Sequence, residues 1–168
     1  MIREVEGDIL LSRAQVIAHG IAAQDHFDTG LALALRERWP SMVRDYRHAI
    51  HGKPLEAGEL WLWRGVDADG STRGIVNLLT QDMLHHGPNG KPGKATTENV
   101  SRALKALARL VADEGITSVA LPRLATGVGG LDWSEVKPLV QRHLGELGIP
   151  VIVYEVYRAG QRADEKLG

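Results

Sequence analysis

The most informative absence from this 168-residue sequence is cysteine. Without it, disulfide bonds, thiolate chemistry and cysteine-based zinc sites are excluded, and the composition fits a reducing cytoplasm. The formal net charge of −1 lacks the basic excess typical of proteins that bind a nucleic-acid groove. No segment reaches the roughly 18 apolar residues of a membrane helix, and the N-terminus lacks the pattern of a signal peptide.

We therefore expect a soluble cytoplasmic protein that does not associate with membranes. The hydrophobic fraction of 43% and the charged fraction of 24% are close to globular averages. The length suits one domain, which we place at residues 1–157. The polar residues 158–168 are predicted to form a frayed tail. We predict a monomer with no cofactor and no metal site.

Short apolar runs alternate with amphipathic stretches along the chain. The pattern predicts strands at 16–22, 59–64, 74–80, 118–124 and 149–157, and helices at 30–39, 40–50, 97–114 and 134–148. Thr96 or Thr97 is expected to cap the third helix, and Ser134 the fourth. Alternation of this kind favours an α/β fold, with helices on both faces of a largely parallel sheet.

The first candidate site motif is Gly7-Asp8-Ile9-Leu10, just after a further strand expected at the N-terminus. An aspartate at a strand end can accept two donors, such as an adenine amino group and a backbone N–H. The same pattern also fits a plain turn aspartate or a helix N-cap, and the motif alone does not separate these interpretations.

The second motif runs from His19-Gly20 through a loop to Asp28-Thr29-Gly30, where a helix opens. Ligands collect at the carboxyl ends of such strands. Asp28 is a candidate general base or acceptor of a ribose hydroxyl. The alternative is that Asp28 or Thr29 merely caps the helix.

The third motif is the glycine-rich stretch from Ala125 to Gly130, which follows a strand. Such a loop can point several N–H groups inward and bind an anion. It lacks the Gly-Lys-Ser/Thr of a Walker loop and the third glycine of the dinucleotide fingerprint. A plain turn is again the alternative.

The seven histidines do not form a set of metal ligands. His85 and His86 are adjacent, and adjacent side chains point apart in an extended chain. We interpret both as loop histidines in contact with solvent. Trp61 and Trp63, on a predicted strand, are interpreted as packing residues.

In order and spacing, these motifs resemble the macrodomain family over about residues 5–157. The resemblance is to the branch of terminal ADP-ribose protein glycohydrolases and of macrodomain antitoxins that act on ADP-ribosylated DNA. Further supporting features are the segment 94–100 (KATTENV), Pro122-Arg123 before the glycine loop, and Trp133. The resemblance implies a three-layer α/β/α sandwich around a mixed, largely parallel sheet of about six strands.

The resemblance also implies a binding site for ADP-ribose. Asp8 and Ile9 would contact adenine, and Val156 or Tyr157 would cover its face. The loop after His19 and the glycine loop would line opposite sides of the diphosphate. The implied ligand-binding residues are Asp8, Ile9, His19, Gly20, Thr29, Gly30, Leu31, Ala125, Thr126, Gly127, Val128, Gly129, Val156 and Tyr157.

The sequence departs from this branch at two positions that carry its covalent chemistry. The branch has a lysine just after the Leu-Leu-Thr-like strand and an aspartate in the glycine loop. Gln81 and Gly129 occupy the matching positions here. Without that lysine, a Schiff-base route through ribose C1″ is closed, and the usual acid–base partner is missing too. Lys94 matches a different position of the family.

Two functions follow from the resemblance. The first is hydrolysis of ADP-ribose from modified protein, at an acidic side-chain ester, with ADP-ribosylated nucleic acid as another substrate. Asp28 is then the first candidate to orient water, Thr126 and Gln81 are weaker ones, and His85 or His86 could swing in. The alternative is a non-catalytic reader of ADP-ribose or a related metabolite.

Overall fold

The structure, a computed structural model, describes residues 2–83 and 92–167. Within these residues the chain forms seven strands, four helices and one turn of 3-10 helix at Ile9–Leu11. The strands are β1 (Ile2–Gly7), β2 (Val16–Ala22), β3 (Leu60–Val66), β4 (Thr72–Met83), β5 (Pro92–Ala95), β6 (Val119–Pro122) and β7 (Val151–Tyr157). The helices are α1 (Gly30–Arg38), α2 (Pro40–Gly52), α3 (Thr97–Glu114) and α4 (Trp133–Leu144).

One mixed sheet organises the molecule, in the strand order β1-β7-β6-β2-β4-β3, with β5 paired to β4. The pairings among β1, β7, β6, β2 and β4 are all parallel. The two remaining strands, β3 and β5, pair antiparallel to β4. The predicted α/β class and the largely parallel sheet are confirmed. The sheet has seven strands, one more than the expected number, and β5 lies within a stretch for which no regular element was predicted.

Two hydrophobic clusters cover the two faces of the sheet and make the three layers. On one face, Val100, Leu104, Leu107 and Val111 of α3 are buried against β-strand residues and α4. Their 4-3-4 spacing puts them on one side of the helix. On the other face, α1 and α2 pack through residues such as Leu35, Met42 and Tyr46. No helix in the described part of the chain has both the length and the apolar character needed to cross a membrane.

The helix boundaries match the prediction for α3 and differ for α4. The Thr96 hydroxyl accepts a hydrogen bond from the Asn99 amide at 3.0 Å, so Thr96 rather than Thr97 caps α3. The helix ends just before Gly115, as predicted. The prediction that Ser134 caps α4 is wrong, because the N-cap is Asp132. The helix ends at Leu144, before the predicted stop at Gly148.

The central strands are joined by a buried polar pair. His19 on β2 is 2% exposed and lies 2.6 Å, through Nε2, from Oδ1 of Asn77 on β4. Nδ2 of Asn77 donates to the Trp61 carbonyl on β3, which leaves Oδ1 as an acceptor, so Nε2 of His19 carries the proton. Burial lowers the pKa of His19 below its ordinary value of 6.5, although Asn77 and Asp25 oppose the shift. The histidine is therefore held neutral in the folded sheet.

The C-terminal segment, residues 158–167, differs from the expected frayed tail. Glu165 is buried and accepts hydrogen bonds from the Ser12 hydroxyl, the Arg13 amide and the Tyr154 hydroxyl. Leu167 packs against the cluster that contains α1 and α2. The polar composition of this segment gave no indication of these contacts, because they depend on groups far away in the chain.

We expect Thr96→Ala to lower the free energy of unfolding by about 1 kcal/mol, since the cap is lost. Urea unfolding checks the value. The matched control is Thr97→Ala, which removes the neighbouring hydroxyl without touching the cap. Equal losses in the two variants would contradict the assignment of the cap.

We expect stability to fall as the pH drops below about 6.5, because the lowered pKa of His19 makes the folded chain take up this proton at a lower pH than the unfolded chain does. The penalty is at most about 1.4 kcal/mol per pH unit for one proton. The variant His19→Gln should flatten this part of the profile of unfolding free energy against pH. His51→Gln, at an exposed histidine of α2, is the control and should leave the profile unchanged.

Candidate functional site

A cleft of about 300 Å³ lies at the carboxyl ends of β2 and β6, which are adjacent in the sheet. Parallel strands meet at such an edge, and loops leaving neighbouring strands in opposite directions open a crevice there. One wall comes from residues 25–32, between β2 and α1, and the other from residues 122–129, after β6. The lining residues are His19, Gly20, Asp25, Asp28, Thr29, Gly30, Leu31, Ala32, Gln81, Pro122, Arg123, Leu124, Ala125, Gly127, Val128 and Gly129.

The first wall is shaped by a turn at Asp25. Its carboxylate accepts the Ala22 amide at 2.9 Å and the Phe27 amide at 2.8 Å. Phe27 has a φ of 54°, an uncommon value for a residue with a side chain. Its ring is fully buried beside His19 and Tyr46, with centroids 6.4 and 5.6 Å away. The buried ring and the aspartate together hold the strained backbone of this wall.

The same wall ends at the start of α1 in amides that have no hydrogen-bond partner among the described residues. The Thr29 side chain makes no capping hydrogen bond. The first intrahelical bond is donated by Leu33 to the Thr29 carbonyl. The amides of Gly30, Leu31 and Ala32 therefore have no partner within the helix, and they carry the positive end of its dipole. Such a helix start can accept an anionic group.

The second wall is a tight loop in which Ala125 also has a positive φ, of 62°. A Cβ atom at Gly129 would lie 2.6 Å from the Ala125 carbonyl oxygen, so no other residue fits this backbone. The Ala95 amide of β5 donates to the Gly129 carbonyl at 2.9 Å and fixes the loop from outside. The side chain of Lys94 lies over Gly130. The glycine found here in place of the branch's aspartate is thus also the residue that the local sterics require.

The structure separates the three candidates for catalysis. Asp28 is exposed and lines the cleft. Gln81 lines it too but is only 6% exposed, and its Nε2 donates to the Gly93 carbonyl at 2.7 Å. Thr126 is not among the lining residues, and its hydroxyl donates to the Arg123 carbonyl at 2.9 Å. His85 and His86 lie outside the described residues.

The predicted adenine contacts lie at the same sheet edge, but beyond the lining of this cleft. Asp8 follows β1, and Val156 and Tyr157 end β7, where Gly7 pairs with Tyr157. Tyr157 is 59% exposed and Asp8 is 6% exposed. Ile9 is buried in the 3-10 turn. The strand order places these residues next to the end of β6, so they continue the cleft along the edge.

Two charged residues of the cleft were not predicted. Arg123 lies in the second wall, 3.8 Å from Glu155 and with its guanidinium carbon 5.8 Å from the centre of the Trp133 ring. Asp25 lies in the first. The sequence does carry a signal for Asp25. This residue lies a few positions after a strand and two before Phe27, whose amide it accepts, and that is the spacing of an aspartate turn. Arg123 had no such signal, since only the fold brings its side chain to the cleft.

A cavity of about 440 Å³ occurs near the amino ends of β2 and β4, away from the strand ends described above. Asp67 lies there between Arg38 and Arg73, at 2.8 and 3.0 Å. Burial alone would raise the pKa of Asp67, but hydrogen bonds from the two arginines lower it below its ordinary value. Because Asp67 is ion-paired with both arginines, we interpret this group as a structural ion-pair cluster.

Comparison with known proteins gives concordant results. The chain is 31% identical over 157 residues to a DNA ADP-ribosyl transferase–DNA ADP-ribosyl glycohydrolase fusion protein of Thermosipho africanus. The match covers 89% of this chain and 40% of that protein. The chain spans about two fifths of the length of this relative and of a DNA ADP-ribosyl glycohydrolase of Thermus aquaticus.

Solved structures agree. The macrodomain of Thermus aquaticus DarG superposes with a TM-score of 0.78 at 29% identity, covering 92% of this chain and 98% of that one. Thermosipho africanus DarTG in complex with ADP-ribose gives 0.77 at 27% identity, covering 96% of this chain and 42% of that one. The family model for the Macro domain matches residues 21–140. The resemblance inferred from the sequence is therefore confirmed, and the chain belongs to the macrodomain family.

Proposed function

We propose that this chain binds ADP-ribose along the carboxyl edge of its sheet. The observation that carries the proposal is the convergence of two backbone walls, residues 28–31 and 125–129, on one cleft. The amides at the start of α1 would present the positive end of the helix dipole to an anionic group. The amides of Gly127 and Val128 make no hydrogen bond to any described residue and can supply further donors.

The order of the strands supports a site for the whole of ADP-ribose and not only for its diphosphate. Asp8 and Tyr157 lie at the ends of β1 and β7, the glycine loop follows β6, and Gln81 lies near the end of β4. Four strand spacings span about 19 Å, which suits an extended nucleoside diphosphate sugar. Adenine, diphosphate and distal ribose would then follow one another from β1 to β4. A similar structure has been solved in complex with ADP-ribose.

Hydrolysis of the bound group is a second candidate function, and Asp28 is the observation that favours it. Its carboxylate is exposed in the cleft and has no hydrogen-bond or ion-pair partner among the described residues. It can therefore orient a water molecule toward the distal ribose. An acyl ester at C1″ of an acidic side chain has a good leaving group, so such modest assistance suffices.

The lysine-dependent route is not part of this proposal. No lysine lines the cleft in the part of the chain that the structure describes. Gln81 has no nucleophilic amine, and its amide donates to the Gly93 carbonyl. The relatives include proteins named for action on DNA. ADP-ribosylated DNA is therefore the second substrate to test, beside ADP-ribosylated protein.

Calorimetry with ADP-ribose tests binding, and we expect heat of binding together with a raised melting temperature. The absence of both would refute the proposed function. Incubation with protein carrying glutamate-linked ADP-ribose, and separately with ADP-ribosylated DNA, then tests removal. Binding without loss of label from either substrate would establish the reader alternative.

For the hydrolytic candidate, Asp28→Asn should slow removal by about 10²-fold or more, while the affinity for ADP-ribose changes little. The control is Asp113→Asn, at an exposed carboxylate of α3 away from the cleft. An Asp28→Asn variant with the wild-type rate would exclude Asp28 from the chemistry.

Placing the aspartate of the branch at position 129 should destabilise the glycine loop. We expect Gly129→Asp to lower the melting temperature by several degrees, because the Ala125 carbonyl must move, at a cost of about 1–3 kcal/mol. The matched control is Gly127→Asp, since a Cβ at Gly127 meets nothing within 4 Å. Thermal unfolding of both variants measures the difference. Equal melting temperatures would show that the loop adapts at position 129.

A further inference from the structure

The C-terminal segment lies directly across Gly7 and Asp8. The Arg158 amide donates to the Gly7 carbonyl at 2.9 Å, and the Asp8 amide donates to the Gln161 carbonyl at 2.7 Å. A Cβ atom at Gly7 would lie 2.9 Å from both the Gln161 carbonyl oxygen and the Ala163 nitrogen. Glycine before Asp8 is therefore required by the close approach of this segment.

The Asp8 carboxylate is fixed from two sides. Its Oδ1 accepts the Leu10 amide at 3.0 Å, within the 3-10 turn that it caps. Its Oδ2 accepts the Gly160 amide of the C-terminal segment at 2.8 Å. A carboxylate oxygen can accept two hydrogen bonds, so each oxygen keeps one free site. The two amides set the plane of the carboxylate and leave it able to accept one more donor.

Glu165 holds the segment in this place. Its Oε2 accepts the Ser12 hydroxyl at 2.5 Å and the Tyr154 hydroxyl at 2.8 Å, and its Oε1 accepts the Arg13 amide at 2.8 Å. The side chain is buried, so each contact is protected from water. Asp164, the preceding residue, has a 76% exposed side chain that lies 3.8 Å from Arg3 and makes no hydrogen bond to any described residue.

We propose that the C-terminal segment positions Asp8 for recognition of the adenine amino group, with Gly160 as the direct contact and Glu165 as the residue that holds the segment. Nucleobase preference then depends on residues outside the matched part of the family, 21–140. The inference rests on the proposed function, because it concerns the adenine end of the same ligand. It assigns no part in the reaction to Gly160 or Glu165, which act only through Asp8.

The experiment compares affinities for ADP-ribose and for IDP-ribose, in which a carbonyl replaces the adenine amino group. A carboxylate that accepts from the amino group repels the carbonyl, so the wild-type protein should prefer ADP-ribose by about tenfold or more. Asp8→Asn should remove that preference. Glu165→Ala, in the full chain, should reduce it about threefold or more. Isothermal titration of each variant with both ligands gives the ratio.

Asp164→Ala is the matched control and should keep the wild-type ratio. If Glu165→Ala does not fold, Tyr154→Phe, which removes one donor to the same carboxylate, provides the ratio instead. Failure of the wild-type protein to bind ADP-ribose would overturn the proposed function itself. Normal binding with the preference lost in Asp8→Asn but retained in Glu165→Ala would overturn only this inference. An equal loss of affinity for both ligands would also overturn it, since that result reports a general structural role.

Discussion

The parallel pairing of β1, β7, β6, β2 and β4 is the constraint on which the other features depend. Parallel strands all end at one edge, so every loop that leaves them reaches the same side of the molecule. The crevice opens between β2 and β6, where one loop turns toward α1 and the other toward α4. The buried His19–Asn77 pair joins β2 to β4 at the floor of this region.

The main-chain conformation shapes both walls of the cleft. Phe27 and Ala125, one in each wall, have positive φ values, which are energetically unfavourable for a residue with a side chain. Burial of the Phe27 ring and the contact from β5 to Gly129 stabilise these conformations. Main-chain amides in walls of this kind can bind an anion without a lysine side chain.

The chain beyond β7 packs against the domain instead of extending away from it. Glu165 collects three donors from the 3-10 region and β7, and the main chain of 158–161 pairs with Gly7 and Asp8. The end of the chain is thereby joined to its beginning, next to the position proposed for adenine. The opposite end of the proposed ligand site, at Gln81 and Asp28, is instead formed by residues from the interior of the sequence.

Local sequence patterns were sufficient for the elements that depend on residues close together in the chain. The 4-3-4 spacing of Val100, Leu104, Leu107 and Val111 specifies the buried face of α3, and the glycines of 125–130 specify a tight loop. Family resemblance supplied the layout of the sheet and most of the cleft. Only the tertiary structure decided that Gly129 has no room for a side chain, that Arg123 reaches the cleft and that Glu165 is buried. Each of these depends on atoms brought together from distant parts of the chain, and hydrophobic period and turn propensity carry no information about such distances.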